Sequence, residues 1–230
     1  MPKKNIVKKY VPGGFYHIYN RGINKGKIFL DLQDYNVFLK YLTISLSIDR
    51  NESLLTNAEG MKSSNMHTNE SFKEVDARNY HDEIFMISYC LMPNHFHFLV
   101  KQRSAMSIAD FLKSLSTRYV MYFNKKYRRV GPLFESKYKG VLITSPQQLL
   151  YVTKYIHRNP LKIVPIRDPV SKRFITQPSS YSSFINFNTK KWLYPELIID
   201  NSKKIARASY KKFVEEEGSD PVQLSDEHYF

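Results

Sequence analysis

Cysteine is almost absent from this 230-residue chain, where Cys90 stands alone. One thiol makes neither an intrachain disulfide nor a cysteine-based zinc cage, so the expected address is a reducing cytoplasm. Long apolar runs are missing too: nothing approaches the ~20 consecutive apolar residues of a membrane-spanning helix. The opening MPKKNIVKKYVPGG is basic but has no apolar core, so no secretory signal is expected. There is no Walker-type glycine-rich loop, which argues against a full replication initiator. Acidic residues are few, 21 Asp and Glu against 35 Lys and Arg. What is plentiful is aromatic: 17 Tyr, 15 Phe and one Trp, too many for a disordered chain. The length suits one ordinary domain with elaborations, or one domain and a modest appendage.

The net charge of +14 calls for an anionic partner. Nucleic acid fits better than a membrane surface, because the basic residues interleave with aromatics and do not line an amphipathic helix. Lys3, Lys4, Lys8 and Lys9 form a basic arm. A second cluster holds Lys125, Lys126, Arg128, Arg129, Lys137 and Lys139, with Tyr119, Tyr122, Tyr127, Phe134 and Tyr138 among or beside them. Such a mixture supplies phosphate contacts and faces on which unstacked bases lie. The same pattern also describes core aromatics beneath a solvated basic face.

Phe15–Arg21 alternates apolar and polar residues after Gly13-Gly14, as a strand does. Asp34–Leu46 has helical spacing, and Ser47–Asp82 is polar and aperiodic, a long insertion. Ile84–Met92 and His95–Lys101 flank Pro93-Asn94 and predict a hairpin. Ser107–Lys126 predicts an amphipathic helix, Leu133–Ile143 a strand, and Ser145-Pro146 opens a helix that runs to about His157 and stops near Asn159-Pro160. The order β-α-β-β-α-β predicts an α+β, ferredoxin-like (RRM-like) antiparallel sheet with helices on one face, followed by an additional helix. From about Phe184 the tail carries Trp192, an amphipathic helix over Ser202–Glu217 and an acidic end.

Two places carry chemistry. In His95-Phe96-His97 the outer residues of a strand triplet share a face, so both imidazoles converge on one ion while Phe96 enters the other side. Strand histidines are also commonly structural. On the following helix, Tyr155 and Asn159 stand one turn apart on one face. A tyrosine in so tyrosine-rich a chain can be packing, and Asn before Pro can be a helix terminator. Taken together these residues describe a nucleic-acid nicking site. A phosphodiester resists attack until a cation neutralises its non-bridging oxygens. Two imidazoles and an amide oxygen leave positions open for phosphate and water, and a phenolate is a competent covalent nucleophile when positive charge is near. A phosphotyrosine keeps the bond energy, so a cut strand can be rejoined.

These motifs resemble a family. His95-Phe96-His97 matches the His-hydrophobic-His motif of HUH endonucleases. MPNHFHFLV, TRYVMYFNKKYRRVGPLFESKYKGVLI and LLYVTKYIHRNP, in that order, resemble the REP-associated tyrosine transposases and the wider single-tyrosine, IS200-like transposases. With GGFYHIYNRGINKGKIF the resemblance spans residues 11–160, and it extends weakly into PSSYSSF and YKKFVEEEG of an extension over 161–230. It implies a bacterial cytoplasmic or nucleoid protein that cleaves single-stranded DNA through a 5′-phosphotyrosine on Tyr155. It also implies His95, His97 and Asn159 as ligands of a divalent metal, Mg²⁺ or Mn²⁺. Several insertion-sequence members carry Gln where Asn159 stands, which keeps an amide oxygen. Members recognise imperfect DNA hairpins at element or repeat ends, and both homodimers with shared sites and monomers occur. The insertion over 47–82 is longer than compact members need. The tyrosine follows the histidines, as in transposases and replication initiators and unlike conjugative relaxases.

Other residues have two readings. Asn20 and Arg21 end the first strand, where a DNA contact and a turn with Gly22 are both reasonable. Arg118 and Lys139 are expected phosphate contacts. His157 points away from Tyr155 and is expected to pack or touch DNA. Tyr151, one turn before Tyr155, is the rival nucleophile, and Cys90 reads as a buried strand residue. The alternative to an enzyme is a non-catalytic, ferredoxin-like nucleic-acid-binding relative.

Overall fold

The computed structural model describes residues 10–48, 78–163, 166–167, 174–186, 190–199 and 204–216. The basic arm from Lys3 to Lys9, the interior of the predicted insertion and most of the acidic end lie outside them. Strand β1 (Phe15–Arg21), helix α1 (Leu32–Leu46), hairpin β2 (Ile84–Met92) and β3 (His95–Gln102), helix α2 (Ser107–Tyr127) and strand β4 (Lys139–Ile143) follow in the predicted order. The four strands form one sheet in the order β2-β3-β1-β4, with every neighbouring pair antiparallel. That is the ferredoxin-like arrangement.

Alternation along the strands divides the molecule into two layers. Tyr16, Ile18, Phe96, Phe98 and Val100 face α1 and α2, where they meet Phe38, Leu42, Phe111, Leu115 and Tyr119. Each such side chain, once buried, contributes about 1.5–3 kcal/mol. Asp31 caps α1 by accepting from Asp34 N, which starts the helix two residues earlier than the spacing predicts. The opposite sheet face is covered as well. Helix α3 (Pro146–Leu161), the additional helix, crosses it, and Ile87, Cys90 and Leu99 pack there with Val152 and Ile156. A short helix α4 (Tyr181–Ile185) and helix α5 (Lys204–Glu215) complete this layer through Phe184, Tyr210 and Val214. With helices on both faces, β2 is buried almost throughout, which is why it reads as a continuous apolar run. Its outer edge is covered by Leu91 N to Pro178 O and Tyr194 N to Met86 O hydrogen bonds, so it offers no open ladder over those residues. A two-stranded pair, β5 (Ile166–Arg167) and β6 (Phe174–Ile175), was not anticipated.

Three boundaries differ from the sequence reading by more than two residues. β4 begins at Lys139 and not at Leu133, because Leu133 and Phe134 turn into the α1–α2 core and form only an isolated bridge with Gly22. α3 continues through Pro160 to Leu161. A proline this near the end removes one backbone donor in a turn that is about to close, and Lys162 N ends the helix on the carbonyls of Asn159 and Pro160. The insertion is shorter than 47–82. Tyr80 is a core residue whose N–H bonds Ser45 O, and Asn79 Nδ2 donates to Ser47 O at 2.6 Å, so the two ends of the segment meet.

Candidate active site

The pairing register builds the site. His95 and His97 lie in β3 on the α3 side of the sheet, and β1 runs alongside with Tyr19 opposite His97. Their rings stand nearly perpendicular, at 85°, with centroids 4.9 Å apart. From β4, which ends at the far end of the sheet beside Phe15, α3 turns back toward the His95 end. Tyr155 thereby comes down over the strand, and its ring meets His97 edge-on, with centroids 5.4 Å apart and planes at 87°. Asn159 follows one turn later, about 6 Å further along the axis toward His95. Its Nδ2 donates to Tyr155 O at 2.9 Å, which fixes the amide against the helix.

Both predicted metal-ligand histidines are held neutral. Burial, with Arg21 nearby, lowers the His95 pKa to about 4, and burial beside two other imidazoles pushes His97 well below the ordinary range. Neutral imidazole is the form that ligates. The proton on His95 is located by its neighbour. Asn94 Nδ2 donates to Lys25 O at 3.1 Å, so Asn94 Oδ1 faces His95 Nδ1 as an acceptor at 2.7 Å. His95 therefore carries its hydrogen on Nδ1 and a lone pair on Nε2. Nε2 of His97 is buried without a hydrogen-bond partner among the described residues. Among those residues no group of three or more His, Cys, Asp or Glu side chains forms a ready cage for a metal.

One residue of the site escaped the sequence reading. His17, in β1, is fully buried, stacks on His97 with centroids 5.1 Å apart, and sets Nε2 2.9 Å from His97 Nδ1. It also meets the edge of Tyr155, at 5.9 Å. The strand pattern FYHIYNR puts Phe15, His17 and Tyr19 on one face, but only the β1–β3 pairing brings that face to the histidines.

The remaining candidates separate into two groups. His157, on the other side of α3, is buried between Tyr210 Oη and Ser180 Oγ, each 2.7 Å from a ring nitrogen, and so packs. Tyr151 turns to Phe213 of α5, away from the histidines. Three residues expected on the DNA track have partners within the fold. Asn20 is buried and its Nδ2 donates to Ser136 O and Lys137 O. Beside it a Cβ on Gly22 would collide with the carbonyl of Gly26, so this corner is a structural turn. Arg118 donates to Ser45 Oγ at 2.6 Å and lies over the ring of Tyr41. Lys126 sits between the carboxylates of Asp31 and Asp34, 2.7 and 2.8 Å away. Lys125, Arg128, Arg129 and Lys137 are exposed, and Arg21 and Lys139 flank Glu135 at 3.3 and 3.5 Å. Arg21, opposite His95 in the β1–β3 register, and Lys139, opposite Tyr19, lie toward the end of the sheet at which His95 stands.

No helix among the described residues is long and apolar enough to cross a membrane. No curated protein matches the sequence. A solved structure described as a REP-associated tyrosine transposase bound to a REP hairpin is similar at 11% identity, over 69% of this chain and 73% of that one, with a TM-score of 0.42. The family model described as "Transposase IS200 like" matches residues 57–159, a stretch that holds His95, His97, Tyr155 and Asn159. Residues 57–159 are thus similar to the IS200-like transposases, the family that the motifs themselves resemble.

Proposed function

We propose that this chain is a metal-dependent, single-stranded DNA nicking and joining enzyme in which Tyr155 is the nucleophile and DNA hairpins mark the substrate. The observation that carries this reading is the edge-on placement of the Tyr155 ring at His97, across the interface between α3 and the sheet. His95, His97 and the amide oxygen of Asn159 would hold a divalent cation, Mg²⁺ or Mn²⁺, which would supply neutralisation of the non-bridging phosphate oxygens. The donor set fits such an ion: two neutral imidazoles with ring centroids 4.9 Å apart, one with a buried nitrogen that has no hydrogen-bond partner among the described residues.

Tyr155 Oη attacks phosphorus, one P–O bond forms to the tyrosine, and the P–O3′ bond breaks. The departing 3′ oxygen ends with the proton that the Tyr155 hydroxyl gives up, and the 5′ end stays on Tyr155 as a phosphotyrosine. Attack by a 3′-hydroxyl reverses these steps and rejoins a strand. Asn159, braced on the carbonyl of Tyr155, keeps the amide in register with the nucleophile. Arg21, Lys125, Arg128, Arg129, Lys137 and Lys139 serve as the phosphate track toward the His95 end of the sheet.

Incubating the full chain with a hairpin-bearing single strand and Mn²⁺ tests the reading. A covalent adduct that survives SDS, and that disappears when metal is chelated, is the expected result. Tight hairpin binding with no adduct at any metal concentration would replace it with a non-catalytic DNA-binding role.

A further inference from the structure

We propose that His17 is a positioning residue that holds His97 in the tautomer able to ligate a metal, an inference that rests on the reading of His95 and His97 as ligands. Two neutral imidazoles joined Nε2 to Nδ1 at 2.9 Å share one proton, so one ring donates and the other accepts. If His17 Nε2 donated, His97 would keep its hydrogen on Nε2 and would have no lone pair there for an ion. If His97 Nδ1 donates, its Nε2 carries a lone pair toward the side on which Tyr155 and His95 stand. Only the second arrangement offers a ligand.

The neighbouring histidine shows the same device built from a different residue. Asn94, oriented by its own bond to Lys25 O, accepts from His95 Nδ1 and leaves Nε2 as the ligating atom. Each histidine of the pair is thus anchored through Nδ1, one by a loop amide and one by a ring from the adjacent strand. An acceptor behind a metal-bound imidazole fixes both its tautomer and its orientation. His17 is fully buried and stacked on His97, so its ring is held in place before any ion arrives. A Leu or Phe would fill this space as well if packing were the whole requirement.

The test reads the proton directly. Histidine in the metal-free full chain is labelled with ¹⁵N, and its ring nitrogens are assigned by long-range correlation to the ring hydrogens. His97 is expected to carry its hydrogen on Nδ1, and a hydrogen on Nε2 overturns the proposal. Mn²⁺ titration followed by electron paramagnetic resonance gives the second arm. His17→Leu, which keeps bulk and removes the acceptor, is expected to weaken Mn²⁺ binding 10- to 100-fold. His17→Gln, which restores an acceptor oxygen, is expected to recover part of that loss. A folded His17→Leu protein that binds Mn²⁺ as tightly as wild type overturns the proposal. If His17→Leu does not fold, the tautomer in the wild-type chain decides alone. Wild-type protein that binds no Mn²⁺ sinks the proposed metal site, whereas the tautomer result still judges His17.

Discussion

The side chain of Asn159 is hydrogen-bonded to the backbone of the very residue it is proposed to assist, with Nδ2 2.9 Å from Tyr155 O. This bond turns the amide so that one end is occupied by the helix and the other, Oδ1, is left as an acceptor. A helix-terminating role alone would use the same bond and need no metal. The two roles are separated by Asn159→Ala. Loss of a hydrogen bond costs about 1 kcal/mol of stability. If Oδ1 is a ligand, Mn²⁺ affinity and cleavage fall together as well, while Asn159→Gln retains some of both. Isothermal titration with Mn²⁺ checks this, and equal affinities for wild type and Asn159→Ala would remove Asn159 from the site.

Tyr155 and Tyr151 lie one turn apart on α3, yet only Tyr155 meets the histidine rings, whereas Tyr151 meets Phe213. Tyr155→Phe is expected to abolish the covalent DNA adduct and to leave hairpin affinity within about twofold, since one oxygen is lost and the ring stays. Tyr151→Phe is expected to form the adduct normally. Gel analysis of SDS-resistant complexes with labelled DNA decides, and an adduct that follows Tyr151 would reassign the nucleophile.

Lys125 and Lys126 are adjacent in sequence and opposite in consequence. Lys126→Ala leaves the carboxylates of Asp31 and Asp34 facing each other in a largely buried place, and is expected to destabilise the fold by about 3 kcal/mol. Lys125→Ala is expected to change stability by less than about 0.5 kcal/mol. It should instead reduce the log–log salt dependence of single-strand binding by about 0.7, the share of one phosphate contact. Urea denaturation and a salt series of binding curves separate the two effects.

Acid should destabilise the metal-free protein. Burial lowers the pKa of His17 and of His157 to about 3, and that of His95 to about 4, from an ordinary value near 6.5. Between those limits the unfolded chain binds protons that the folded chain refuses, so stability is complete above pH 6.5 and falls as the pH drops below it. Each such group contributes up to about 1.4 kcal/mol per pH unit in that window. The urea midpoint is expected to fall steeply from pH 7 to pH 5, and His157→Gln should make the fall shallower. A midpoint independent of pH over that range would contradict the buried neutral histidines.

How much of this was legible in the sequence follows the range of the interactions. The period of two in His95-Phe96-His97 and the one-turn spacing of Tyr155 and Asn159 are local regularities, and the strand and the helix that carry them both form. The order of elements also sufficed for the sheet, because sequential alternation of strands and helices leaves few topologies. His17 was not legible, since its partner lies 80 residues away and is reached only through the β1–β3 register. For the same reason Lys126 looked like one more member of a basic run. Its acidic partners are 92 and 95 residues distant, and charge counting along the chain does not see them. Pro160 misled differently. A proline breaks a helix interior, but Pro160 falls in a last turn, where the missing donor matters little.

The segment from Leu133 to Lys137 is not a strand, but neither is it loose. Gly22 bridges to Phe134, Glu135 N bonds Arg21 O, and the buried amide of Asn20 grips the carbonyls of Ser136 and Lys137. Fixing a residue's backbone costs about 1–2 kcal/mol in conformational entropy. For these residues that cost is met once, when the chain folds. An anionic strand meeting Lys137 and Lys139 therefore finds their backbone already in order, and its binding energy is not spent on ordering a loop.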